Sequence, residues 1–574
     1  MARPHTRRPM SVYLAVVCAA VVCFAVTGLT QAPAQDSPTM RAMADELARS
    51  MQLLRLPDQP APYYIEYEVQ ERASTRVTAR LGALVEDLGG HSRIMRVVVR
   101  VGSYDFDNSL FIAPASGGVI ALQADGSTSA PLDDDYDSMR RQIWLATDAA
   151  YKRAVSVFAR KTAAFQNRTA GEAIPDFSRE SPQETLLGGV TPARVNREWP
   201  DRVMQISAAF KGFAALENSE VSAADTRGTR YFVNSEGFKV VAPIQIASLR
   251  VVADAQAADG MGLRDVLMLV EKNLQDLPPA AEITARARRM AQRLEAQRLA
   301  PIGEEYTGPV LLQGQASAEL VAAALAPAML ARRPSESAGR GGRGGGGAAQ
   351  VTPFHRRIGL RVLAEPFSAS DTPSLREFEG RPVPGSFIVD DEGVRAKDVT
   401  LVEKGRLLTL LAGRAPLKGL LQSSGHTRDG EVLPGVFQLQ SAEAVPAAEL
   451  KKKYLELLAT QDKPFGYIVR GLASPNDASG GGPGTGPVIF DAVKVTPDGR
   501  EEVVRGLRLG AVPPPTFRDL LDASRERTLY SFRGTTNDAV SLIVPDIIYE
   551  ELEIQQAREI TQKPPSVPSP LATN

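Results

Sequence analysis

Residues 308–330 read GPVLLQGQASAELVAAALAPAML. Residues 309–312 are apolar and short, as in a buried strand, and Gln313-Gly314-Gln315 is a polar turn. From there Leu320, Ala323, Ala324 and Ala328 recur at helical spacing, which predicts a helix with one inward face. A strand feeding a helix is a common setting for an active site. A zinc peptidase would carry two histidines and a glutamate on such a helix, because ligands about one turn apart converge on one metal. This helix has one carboxylate, Glu319, and no histidine.

On the C-terminal side, residues 331–350 are rich in glycine and arginine and read as a flexible loop. Arg340-Gly341-Gly342-Arg343 is similar to segments that bind single-stranded nucleic acid. One short copy reads as a surface loop, and no nucleic-acid partner is expected. Short strands with turn signals follow at 358–363, 384–389, 399–402, 407–411, 487–495 and 501–508. Glu403-Lys404-Gly405 and Pro497-Asp498-Gly499 are turns between pairs of them. Helices are expected at 450–460 and 517–525, and residues 561–574 form a proline-rich tail.

On the N-terminal side, Ser37-Pro38 opens a helix with serine as N-cap, and Met40, Met43, Leu47, Met51 and Leu54 face inward. Strands are expected at 63–70, 76–86 and 92–102, the last two joined around Gly89-Gly90. In the first, Tyr63, Ile65, Tyr67 and Val69 share one face, and Glu66, Glu68 and Gln70 share the other, so it reads as half-buried. Residues 139–167 form a long helix with Ile143, Thr147, Ala150, Ala154 and Phe158 on one side. Arg140, Arg141, Lys152, Arg153, Arg160 and Lys161 make its other faces a solvated surface. Strands at 229–233 and 238–241 flank the turn Asn234-Ser235-Glu236-Gly237, another follows at 244–255, and a charged helix spans 280–299. The pattern predicts an α+β protein: a mixed α/β domain over 35–300, then a β-rich domain over 301–560.

With 574 residues the chain exceeds one ordinary core. Its near-zero net charge of -1 gives no reason to expect nucleic acid or an anionic membrane as main partner. The N-terminus differs: MARPHTRRPM is basic, 11–30 are almost wholly apolar, and Ala32-Pro33-Ala34 offers a cleavage site. That is the plan of a signal peptide over 1–34 and predicts export to the periplasm or beyond. Left uncleaved, the segment would be a membrane anchor. Arg7-Arg8 suits either the twin-arginine route or any basic leader. Cys18 and Cys23 both lie in the apolar run, so the cleaved chain has no disulfide, thiolate ligand or thiol nucleophile.

The histidines are His5, His91, His355 and His426, none paired at zinc spacing, and no cofactor is expected. Asp390-Asp391-Glu392-Gly393 lacks the spacing of a calcium loop and reads as an acidic turn. Residues 479–486 are glycine-rich but lack the Gly-Lys-Ser/Thr and helix of a phosphate cradle. No Gly-x-Ser-x-Gly elbow is present. Ser424-Gly425-His426-Thr427-Arg428 is a polar break between strands, where His426 could line a cleft.

Several of these segments together resemble the TldD/PmbA family of peptidase-related proteins. They are Gly385-Ser386-Phe387 ahead of Asp390-Asp391-Glu392-Gly393, then Ser423-Ser424-Gly425-His426, Val504-Arg505-Gly506 and Val544-Pro545-Asp546. In the N-terminal half, Val99-Arg100-Val101-Gly102 through Asp107-Asn108-Ser109 and residues 231–237 fit a secreted branch. The resemblance implies a dimerising protein with an α/β domain and a β-rich domain. It also implies two types of member. The TldD type carries zinc on a His-Glu-x-x-x-His helix plus a distant cysteine and cleaves peptides; the PmbA type lacks those ligands and serves as partner subunit. The helix after Gln313 matches the metal helix in position and has neither histidine, so the chain looks like the PmbA type, a pseudoenzyme without cofactor.

The expectation is thus an exported, metal-free subunit acting in proteolysis, as a homodimer or paired with a zinc-bearing TldD-like homologue. A peptide or unfolded segment would add a strand to the C-terminal sheet in the interdomain cleft. Gln313, Gln315, Ser386, Asp390, Asp391, Glu392, Ser424, His426 and Arg428 would bind it. Two alternatives stay open: a hydrolase using Glu319, His426 or the 390–392 carboxylates as base, and a homodimeric peptide-binding module without catalysis.

Overall fold

The computed structural model describes residues 37–112, 126–166, 174–192, 198–337, 353–473, 486–534, 537–557, 567 and 569–571. Residues 1–36, with the expected signal peptide, the Arg340-Gly341-Gly342-Arg343 segment, most of the glycine-rich loop at 479–486 and nearly all of residues 561–574 lie outside these residues. No described helix is long and apolar enough to cross a membrane.

Helix α1 (Pro38–Leu53) starts as its sequence predicts, with the Ser37 side chain accepting from the Met40 amide. Strands β1 (Pro62–Arg80) and β2 (Ala83–Val101) form one long hairpin. Its turn is at Leu81-Gly82, where both φ angles are positive, and not at Gly89-Gly90. Two consecutive positive φ values match the right-handed twist of a hairpin. Gly89 and Gly90 lie inside β2, opposite Thr75 and Ser74. Helix α2 (Tyr136–Phe165), helix α3 (Glu198–Ser207) and strands β3 (Leu216–Asn234), β4 (Lys239–Gln256) and β5 (Gly262–Glu271) follow, closed by α4 (Ala280–Leu299). The segment 244–255 is not a separate strand but the continuation of β4.

The long strands run β2-β1-β3-β4-β5 with antiparallel neighbours, and two short strands complete the sheet, Ser127–Ser129 antiparallel to β2 and Glu184–Leu186 parallel to β4. Strand periodicity gives it two faces. Ile65, Tyr67 and Val69 of β1 pack beneath α1 and α2, while Val77 and Ala79, further along the same face, pack beneath α3 and α4. On the opposite face stand Glu66, Glu68, Gln70, Arg96, Arg230, Phe232 and Val240. Alternation predicts a half-buried strand, yet Glu66 and Glu68 on this second face are buried as well. The reason is tertiary: the second half of the chain covers it, and Phe232, Phe238, Val240 and Ala242 pack with Val389 and Val394. Lys161 likewise leaves the expected solvated face of α2, buried in an ion pair with Asp176.

The second half contains β6 (Tyr306–Leu312), α5 (Gln315–Leu320), β7 (Phe367–Asp371), β8 (Val399–Glu403) and β9 (Val436–Ser441). Then come α6 (Ala447–Thr460), β10 (Gly466–Leu472), β11 (Val488–Val495), β12 (Leu507–Leu509), β13 (Leu520–Arg533) and β14 (Ala539–Gln556). Strand β14 organises them. It pairs with β9, β13, β12 and β6, and the path β14-β12-β11-β10-β6 returns to β14 as a closed ring. Residues 358–363 and 384–389 are turns, joined to their neighbours by single bonds such as Gly359 N to Leu407 O and Phe387 N to Pro373 O. Residues 517–525 are not a helix: the prolines before Phe517 allow one 3-10 turn, and the chain then enters β13. The ladder to β14 outweighs local helix preference there.

The strand–helix unit is present, but its helix is irregular. After α5 the turns widen over Val321–Leu325 and tighten over Ala326–Met329. Pro327 has no amide to give the carbonyl four residues back, so α-helical bonding cannot continue. The change of pitch turns Ala323 outward, against its expected inward place, while Leu320, Val321, Leu325 and Ala328 stay buried.

Candidate functional site

The α5 end comes first, because the resemblance places a metal helix there. Gly314 turns the chain at φ 52 and ψ -114, and its amide donates to Asp546 Oδ1 at 2.7 Å. Ser317 Oγ donates to the Pro545 carbonyl at 2.6 Å, so Pro545-Asp546 clamps the start of the helix. Glu319 is buried. It accepts from the Leu472 amide at 2.8 Å, Gln315 Nε2 at 2.7 Å and Tyr530 Oη at 3.2 Å. A carboxylate held by three donors inside a core is a structural anchor, not an open base. The donor set does not fit zinc: Gln315 and Glu319 face each other, and no imidazole or thiolate is near them in sequence. Among the described residues no three His, Cys, Asp or Glu side chains are grouped to share a metal ion.

A second place lies between the two halves. A cavity of about 490 Å³ is bounded by the covered face of the first sheet and by the 373–391, 428 and 537–539 segments of the second half. Ser386, Asp391 and Arg428 of the expected set line it, together with Gln70, Arg230, Lys272, Arg376 and Phe387. Gln313 and Gln315 are not part of this wall; they sit at the start of α5. Asp390 and Glu392 stand behind it as scaffold. Asp390 accepts from the amides of Glu392, Val394 and Thr427, at 3.0, 2.9 and 3.1 Å, which makes the acidic turn that the sequence suggests. Glu392 accepts from the Arg414 amide at 2.9 Å and Thr427 Oγ1 at 2.6 Å. Ser424 Oγ accepts from the Ala412 amide at 2.9 Å and donates to the Ala412 carbonyl at 3.0 Å.

His426 does not open on the cavity. It is fully buried, its Nδ1 faces Ser424 and its ring meets the edge of Phe387. Burial, with Arg428 adding to it, pushes the imidazole down to about 3, so it is neutral at physiological pH. A catalytic base needs reach to solvent or substrate, and His426 has neither.

Arg230 joins the halves. It pairs with Asp391 and donates to the Asp390 carbonyl at 2.9 Å. Burial works to lower its pKa, but Asp391, Glu68, Asp538 and Asp390 outweigh burial and hold the guanidinium above its usual value. Glu68 is paired with Arg96 at 2.7 Å. Burial would raise this carboxyl, yet Arg96 and Arg230 overcome it and keep it below the usual range. Burial pushes Asp391 up to about 7 with Arg230 opposing, and pushes Asp390 well above the usual range with Glu392 adding to it. Arg428 donates to the Ala539 carbonyl at 2.8 Å and lies over the Phe387 ring. This floor is a bound network whose charges already have protein partners.

The other end differs. Lys272, just past β5, donates to both Ser386 O and Ser386 Oγ at 2.8 Å. Burial and the neighbouring Arg376 push its amine down to about 8, with Asp276 opposing. Sequence reasoning missed Arg230 and Lys272. Arg230 carried a signal, a lone cation inside the apolar run 229–233; Lys272 closes a strand and carried none.

Residues 305–470 match the family described as the PmbA/TldA metallopeptidase C-terminal domain. No curated protein is a significant match. The fold is shared with solved structures. A candidate modulator of a DNA gyrase from Thermotoga maritima has TM-score 0.57 and 12% identity over 90% of this chain and 99% of that one. TldE from Thermococcus kodakarensis has TM-score 0.57 and 14% identity over 89% of this chain and 99% of that one. A candidate modulator of DNA gyrase from Bacteroides thetaiotaomicron has TM-score 0.53 and 11% identity over 90% and 98%. The α/β first half and β-rich second half are therefore those of this structural group.

Two outcomes follow from the charges. Arg230→Ala leaves Asp391 buried without its main cation, and should lower unfolding free energy in denaturant by about 3–5 kcal/mol. Arg230→Met combined with Asp391→Leu should recover much of that loss, whereas a single-variant loss under about 1 kcal/mol would mean the pair behaves as a surface bridge. For Lys272 the folded pKa of about 8 lies below the usual 10.5, so between these values the unfolded chain binds the extra proton. Stability of the wild type relative to Lys272→Met should therefore rise as pH increases from 8 towards 10.5; a flat difference would contradict the assignment.

Proposed function

We propose that this chain is an exported, zinc-free peptide-binding subunit that works in proteolysis beside a zinc-bearing homologue. The observation that carries the reading is the interdomain cavity next to an unpaired strand edge. Over residues 527–533 the second edge of β13 has no ladder among the described strands, and residues 537–539 beyond it wall the cavity. Such an edge can accept an extended peptide, with main-chain bonds giving affinity and side-chain pockets giving specificity. Ser386, Asp391 and Arg428 line the cavity, and a peptide that enters it would meet them. The match of 305–470 to the peptidase-related domain and the fold shared with TldE support the same reading.

Lack of catalysis by this chain alone is proposed on chemistry. Glu319 is held by three donors, and His426 is enclosed and neutral. The zinc site would then belong to the partner. Export rests on the basic start and apolar run of residues 1–34. A membrane partner enters only if that segment stays attached.

Affinity purification from the native host, with metal analysis and a casein-cleavage assay, tests this proposal. The expected result is recovery of a homologue carrying the histidine pair, with no stoichiometric zinc and no cleavage by this chain alone. Recovery of self-pairs only would replace the subunit with a homodimeric binding module. Stoichiometric zinc or cleavage by the isolated chain would overturn the zinc-free reading.

A further inference from the structure

The two ends of the interdomain cavity differ in one respect. At the floor, Arg230 has Asp391, and Arg428 has the Ala539 and Pro434 carbonyls with Asp538 nearby. At the far end Lys272 and Arg376 line the same wall, and neither forms an ion pair with a described carboxylate. Asp276, the acid that acts on Lys272, is bonded to the Asn273 amide at 3.2 Å and to Asn273 Nδ2 at 2.9 Å. Two of the three amine protons of Lys272 are directed to Ser386, which fixes the side chain against the wall. Lys272 is half-buried beside the exposed Arg376, and like charges that act on each other raise each other's energy, which an anion between them relieves. The same wall is apolar beside the cations: Ile244 is buried, and Leu187, 44% exposed, is a large apolar side chain with no core to cover it.

We infer that this end of the cavity receives the C-terminal carboxylate of a peptide whose last side chain is apolar. The carboxylate sits between Lys272 and Arg376, and the last side chain lies against Leu187, Ile244 and Phe387. The planar guanidinium of Arg376 can meet both carboxylate oxygens, and Lys272 adds a point charge held at a fixed place. The volume of about 490 Å³ suits one or two residues of such a peptide. This inference rests on the peptide-binding reading above and adds which end of the peptide enters the cavity and what that end must carry.

The test is fluorescence anisotropy of the full chain with N-terminally labelled hexapeptides ending in Leu, Phe, Ser or Lys, each as free acid and as C-terminal amide. The free acids ending in Leu and Phe should bind about tenfold or more tightly than their amides. Arg376→Gln, at an exposed position, should keep the wild-type fold and bind acid and amide alike; Lys272→Met should do the same. Equal binding of acid and amide by the wild type overturns the inference and leaves peptide binding standing. Preference for acids ending in Ser or Lys over Leu and Phe overturns the apolar part. No binding of any peptide overturns both the inference and the reading beneath it.

Discussion

Arg230 is a cation that projects from the centre of one sheet into the other half of the molecule with only 6% of its surface exposed. A guanidinium in that position is tolerable only if carboxylates and carbonyls surround it. Asp391 and the Asp390 carbonyl do so from one turn, and Glu68, itself paired with Arg96, does so from the adjacent strand β1. That requirement fixes much else. The 390–393 turn must present its second carboxylate to β3, so its first is bound to three amides to hold the turn's shape. Glu68 must lie on the face of β1 away from the helices, which makes that face an interface.

The same constraint explains where the sequence was legible. Strand alternation from Tyr63 to Gln70 was visible, as were the helix at 280–299, the Ser37 cap and the Gly237 turn, because each depends on neighbours within a few residues. The burial of Glu66 and Glu68 was not visible, since alternation reports two faces without saying what covers the polar one. The hairpin turn was misplaced at Gly89-Gly90 because a glycine pair is a strong local signal. The long β1–β2 register instead turns at Leu81-Gly82. Residues 517–525 had helical composition, but three prolines upstream and the β14 ladder made them the start of a strand.

For the candidate site the division is similar. The polar segments around Ser386, Asp391 and Arg428, which the resemblance singles out, meet in one cavity. Ser424 and His426 came from the same kind of loop yet serve as scaffold. The difference lies in what their side chains meet: Ser424 Oγ is bonded to Ala412 and the His426 ring is enclosed against Phe387, so neither faces the cavity. Gln313 and Gln315 were chosen from the strand–helix unit, whose polar mouth proves to be closed by Asp546, Pro545 and Leu472. The half-buried Lys272 needed the fold to be seen, because its partner Ser386 lies 114 positions away.

What remains is a scaffold in which the start of α5 is closed by internal hydrogen bonds, while the cavity between the halves keeps room beside a strand edge that has no ladder among the described residues. The account turns on that cavity being where a peptide lies. Amide hydrogen exchange of the full chain, with and without a saturating hexapeptide ending in leucine, addresses it most directly. Slower exchange is predicted in residues 527–533 of β13 and in 386–391, with the exposed edge of β2 at 83–91 unchanged. Protection confined to 83–91, or no protection at β13 and 386–391 under saturating peptide, would contradict it.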